Sequence, residues 1–115
     1  MRIEIRGRNV EVSDEIRDAI HKRFSRVARQ VSDLAQLEIE LIEEKNPSIS
    51  DSQVAEATLY LKGATLRARE ASPEMLHSIH ELAEDIRRQV KRDREKRRGR
   101  TSARRRIGRL RRREA

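Results

Sequence analysis

The chain has 115 residues, enough for one domain with a modest core. Charged residues make up 42% and aromatics 2%, so the core must be aliphatic, and the absence of cysteine excludes a disulfide scaffold or a thiolate metal site. The formal net charge is +8, but residues 91–115 carry fourteen Lys or Arg against three acids, while residues 1–90 carry fourteen against seventeen. Positive charge gathered at one end points to a polyanion partner, with nucleic acid first and an anionic membrane surface second. No apolar run approaches a membrane span, and the N-terminus alternates charge with Ile unlike a signal peptide. A soluble, cytoplasmic protein is expected.

"RIEIRGRNVEV" (2–12) alternates like a half-buried strand, with Ile3 and Ile5 on one face and Arg2, Glu4 and Arg6 on the other. Gly7 is expected to break it. Ser13 reads as an N-cap, with Asp14 and Glu15 in the first turn where the helix dipole favours carboxylates. Ile16, Ile20, Phe24, Val27 and Val31 then form one apolar stripe on a helix over 13–30. "LAQLEIELIEE" (34–44) alternates again, placing Leu37, Ile39 and Leu41 inward, and "KNPSISDS" (45–52) is a turn-rich loop. "QVAEATLYL" (53–61) and "ATLRARE" (64–70), joined by Lys62-Gly63, form the best-defined hairpin, with Arg67 and Arg69 on its polar face.

"SPEM" (72–75) opens a second helix through a Ser72 cap and Pro73 in the first helical position. Leu76, Ile79, Leu82, Ala83, Ile86 and Val90 give its stripe. The helix is expected to end at Arg98, before Gly99. The arginine-rich tail 99–115 has too little apolar surface to pack and is expected to be disordered when unbound. The order β-α-β-β-β-α predicts an α+β fold, a four-stranded sheet with two helices packed on one face.

At about 100° per residue, Arg87, Lys91, Arg94 and Arg98 fall on one narrow stripe beside the apolar one, and Lys22, Arg26 and Arg29 do the same on the first helix. Guanidinium groups suit phosphate because their planar fork donates two hydrogen bonds to one group. Two such ladders on neighbouring helices can span a groove of A-form RNA, recognised by shape and phosphate. On the first helix the alternative is a solvated face with internal ion pairs such as Asp18 to Lys22. His77 and His80 lack the further ligands a metal needs, and Ser13 and Ser72 read as caps rather than nucleophiles. No Gly-rich phosphate loop is present. No enzyme, metal, cofactor or small-molecule substrate is expected.

"IEIRGRNVEVSDEIRDAIHKRFSRV" and "ATLYLKGATLRAREASPEMLHSIHELAEDIRRQVKR" resemble the ribosome hibernation-promoting factor and ribosome-associated inhibitor family over residues 2–98. The resemblance implies a fold similar to a double-stranded-RNA-binding domain. It also implies binding to the small ribosomal subunit, in the channel of mRNA and of tRNA at the A and P sites, with inhibition of translation. It places rRNA contacts at Lys22, Arg23, Arg26, Arg29, Arg67, Arg69, Arg87, Arg88, Lys91, Arg92 and Arg94, to which the helical stripe adds Arg98. Longer family members carry a second, dimerising domain, so dimerisation of ribosomes stays open. A general double-stranded-RNA-binding module and a transcription-modulating protein-interaction regulator are the competing readings.

Overall fold

The computed structural model describes the backbone of residues 1–114 and the side chains of residues 1–99. The elements are β1 (Arg2–Arg8), α1 (Asp14–Arg23), α2 (Ser25–Gln30), β2 (Gln36–Glu43), β3 (Gln53–Leu61), β4 (Ala64–Ser72) and α3 (Met75–Glu114). The strands form one sheet in the order β1-β2-β3-β4, with β1 parallel to β2 and the other pairs antiparallel.

Because side chains alternate across a pleated sheet, the register sorts every residue to one face. Ile3, Leu37, Leu59 and Leu66 line up in one inward row, and Ile5, Ile39, Ala57 and Ala68 in the next. Against them lie Ile20, Phe24 and Val27 of α1 and α2 and Ile79, Leu82, Ile86 and Val90 of α3. α3 crosses β3 and β4, and α1 and α2 pack against its flank.

The expected helix over 13–30 is two helices. Phe24 sits between them at φ −90° and ψ 5°, and the Ser25 hydroxyl donates to the Lys22 carbonyl at 2.8 Å, competing with the backbone ladder. Ser13 caps α1 as expected, accepting from the Ile16 N–H. β1 does not stop at Gly7 but runs to Arg8. Gly7 is there for a close approach, since a Cβ would run into the Val10 carbonyl. Asn9 then turns the chain at φ 59°.

The open face of the sheet is not wholly polar. Ile42 and Val54 are buried there, paired in register at the end nearest Arg8 and Ala71. β4 extends to Ser72, so α3 begins at Met75 rather than at Pro73. The Ser72 hydroxyl instead accepts from Glu74 N–H and meets the buried Ser78 hydroxyl at 2.7 Å, tying strand end to helix start. At its other end α3 does not stop at Arg98. Its backbone continues through Gly99 to Glu114. One glycine costs a helix only about 1 kcal/mol, and the flanking Arg, Lys and Ala are strong helix formers.

Candidate nucleic-acid interface

α3 organises the site. Its buried stripe ends at Val90, and the side chains on the azimuth facing α1 and α2 are His80, Glu84, Arg87, Lys91, Arg94 and Arg98. The acidic and neutral members come first and the cations last. Lys91, Arg94 and Arg98 are exposed, and no ion pair among the described residues engages them. Arg87 differs. It is half-buried, and its guanidinium is held by Glu84 at 2.8 Å. That bond lowers the Glu84 pKa against a smaller opposing effect of burial, and the charges of Arg87, His80 and Arg26 lower it further. Arg26 of α2 is thus on the side of α2 towards α3, close enough for its charge to act on Glu84 without pairing with it.

Lys22, Arg23, Arg26 and Arg29 are all exposed. The Asp18–Lys22 pairing that the sequence allowed is not formed among the described residues. Lys22, Arg23, Arg26, Arg29, Lys91, Arg94 and Arg98 thus stand without an ion pair among the described residues, all on the helical side of the domain.

The remaining expected site residues lie elsewhere. Arg88 and Arg92 are exposed on the outer face of α3, and beside them Gln89 turns towards the free edge of β4. There the Gln89 amide donates to the Arg67 carbonyl at 2.7 Å and to Asp85 at 3.1 Å. The Glu70 carboxyl beneath this flank has its pKa raised, first by burial, then by a hydrogen bond to Asp85 and the charges of Asp85 and Glu81, with Arg88 pulling the other way. The side chains of Arg67 and Arg69 point to the open sheet face, away from the helices. Arg69 is paired there with Glu56 at 3.4 Å. That face is a self-neutralising lattice in which Arg8 pairs with Glu40 at 2.9 Å and the Tyr60 hydroxyl donates to Glu38 at 3.3 Å. α1 and α2 pack beside α3, so the cations of the three helices lie on one side of the sheet, although the break at Phe24 divides Lys22 from Arg26 and Arg29, and Arg67 and Arg69 lie on the other side.

Two features escaped the sequence reading. Asp93 and Arg97 occupy the azimuth of the buried stripe one and two turns beyond Val90. They pair at 3.1 Å, and Arg97 also donates to the Lys62 carbonyl at the hairpin tip at 2.6 Å. The i,i+4 spacing was visible, but its position over the hairpin was not. The second feature is a cavity of about 580 Å³ at the same end of the core. His77 is exposed and His80 half-buried, and among the described residues no cluster of His, Cys, Asp or Glu could hold a metal ion. No helix among them is long and apolar enough to cross a membrane.

Residues 3–98 match the family described as "Sigma 54 modulation protein / S30EA ribosomal protein". The chain is 29% identical over 97 residues to a ribosome hibernation promotion factor from Picosynechococcus sp., covering 84% of this chain and 50% of that protein. It is 28% identical over 96 residues to a ribosome hibernation promoting factor from Salmonella typhimurium, covering 84% of this chain and 96% of that one. It thus spans about half of the first relative and nearly all of the second. Among solved structures, the N-terminal domain of Thermus thermophilus Protein Y superposes with a TM-score of 0.69 at 26% identity, covering 80% of this chain and 98% of that one. A ribosomal subunit interface protein from Coxiella burnetii shares the fold with a TM-score of 0.70 at 21% identity, covering 82% and 98%.

Proposed function

This chain belongs to the Sigma 54 modulation protein / S30EA ribosomal protein family, and from that premise we propose that it is a cytoplasmic, non-enzymatic ribosome hibernation factor. It binds the small ribosomal subunit in the channel of mRNA and of A- and P-site tRNA, and so inhibits translation. The relatives' names support ribosome hibernation. The observation that carries the binding mode is the ladder of Lys91, Arg94 and Arg98, unpaired among the described residues, on the side of α3 towards Arg26 of α2, while on the open sheet face Arg8 and Arg69 are already taken up by Glu40 and Glu56. Cations on two packed helices track a phosphate backbone without reading its sequence.

The open face then turns away from rRNA, and Arg67 and Arg69 contribute less than the ladders. The segment 99–115 acts as an electrostatic extension. Its arginines add phosphate contacts that position the protein without reading sequence. The test is cosedimentation with separated subunits, followed by mRNA-programmed tRNA binding. Binding to the small subunit with loss of tRNA binding is expected. Binding only to the large subunit, or unchanged tRNA binding at saturating protein, would refute the reading.

A further inference from the structure

We propose that the cavity where α3 leaves the core receives one unstacked nucleotide of the bound RNA. The proposal rests on the rRNA-binding reading above and adds a site to it. The cavity lies between the α2–β2 turn, the hairpin tip and α3, with walls from Val31, Leu34, Ala35, Leu61 and Val90. Its volume of about 580 Å³ falls within the ~300–1,000 Å³ of small-molecule sites.

Leu34 is the most telling residue. Its side chain is 94% exposed at the cavity mouth. A lone surface leucine needs no explanation. This one is held out by a built turn, in which the Ser32 hydroxyl accepts from the Leu34 N–H at 3.1 Å and the Ser32 carbonyl from the Ala35 N–H at 3.0 Å.

The rim decides the occupant. Asp93 is neutralised by Arg97. Arg94 and the Lys62 ammonium have no carboxylate partner among the described residues, which leaves the mouth cationic. Arg94 also belongs to the α3 ladder, so the cavity opens onto the surface that meets the phosphate backbone. A nucleotide satisfies both halves of this site. Its base has flat apolar faces for the aliphatic walls, and its phosphate reaches Arg94 and Lys62. Splayed-out bases are commonly stacked on aromatic rings or guanidinium planes, and Arg94 at the rim supplies a guanidinium. The Gln30 side chain, also at the cavity and without a partner among the described residues, offers a donor and an acceptor to the base edge.

The test uses the full chain and ribosomes. Leu34→Ser alters an exposed position, so folding is retained. Affinity should fall about tenfold or more, the scale of one leucine side chain no longer buried against a ligand, with an unchanged salt slope because no phosphate contact is removed. Arg94→Gln should lower that slope. Ultraviolet cross-linking of the wild-type complex should leave a nucleotide adduct within residues 30–35 or 60–62. Wild-type affinity in Leu34→Ser, or a cross-link there to a polypeptide, would overturn the cavity assignment alone. Failure of the wild type to bind ribosomes would overturn both readings.

Discussion

Neutralising Lys91, Arg94 and Arg98 together, each to Gln, tests whether the α3 ladder grips phosphate. All three are exposed and belong to no ion pair among the described residues. None is part of the core cluster, so each change should alter folding stability by less than about 0.5 kcal/mol. Each lost phosphate contact should lower the slope of log K against log salt by about 0.7–0.9, so the three should remove about 2–3 units. Between about 50 and 200 mM salt the variant should then lose affinity by roughly 20–40-fold less than the wild type does. Arg87→Gln serves as the internal comparison. Its guanidinium is already engaged by Glu84, so it should lower the slope by less than a full unit. Ribosome cosedimentation across a salt series, with thermal unfolding alongside, reads both quantities. A triple variant with the wild-type slope would place these side chains off the RNA, and a slope change in Arg87→Gln as large as in Lys91→Gln would refute the distinction drawn from the Glu84 pair.

Gly7→Ala should destabilise the fold at the upper end of the ~0.5–3 kcal/mol typical of point changes, because the new Cβ meets the Val10 carbonyl; denaturant unfolding measures it, and a neutral result would mean that the turn relaxes. Glu70→Gln should gain stability over the wild type as pH rises from about 4.5, because a carboxyl whose folded pKa is raised stabilises below its unfolded value and loses that contribution as pH climbs through the folded one. An unfolding series between acid and neutral pH that showed a constant difference would remove Glu70 as the cause. Deleting residues 99–115 takes away eight arginines, while the core cluster among the described residues ends at Val90. The melting temperature should stay put, ribosome affinity should fall most at high salt, and inhibition at saturating protein should persist. Full binding with lost inhibition would make the extension itself the blocking element.

What the sequence revealed and what it hid divide along the reach of the interactions involved. A period of two is written into four or five consecutive residues, so Ile3 and Ile5, Leu37 to Leu41, and Ala57 and Leu59 could be assigned to the core face before any pairing was known. The α3 ladder was legible for the same reason, since 3.6-residue spacing is local. The parallel pairing of β1 with β2 joins segments about thirty residues apart and leaves no local mark. Gly7 looked like a strand breaker because the carbonyl that requires it belongs to a turn not visible in the alternation. Arg67 and Arg69 could be placed on the polar face of the hairpin, and so away from the helices, but only the strand register puts Arg69 beside Glu56. At Asp93 and Arg97 local and distant interactions meet. By periodicity these positions continue the buried stripe, yet they are charged, which by itself reads as the end of the core. The hairpin tip lies beneath them, and Arg97 bonds its carbonyl. The apolar stripe thus gives way to a polar clasp at the place where the helix leaves the core, and the exposed cations of α3 start from that fixed point.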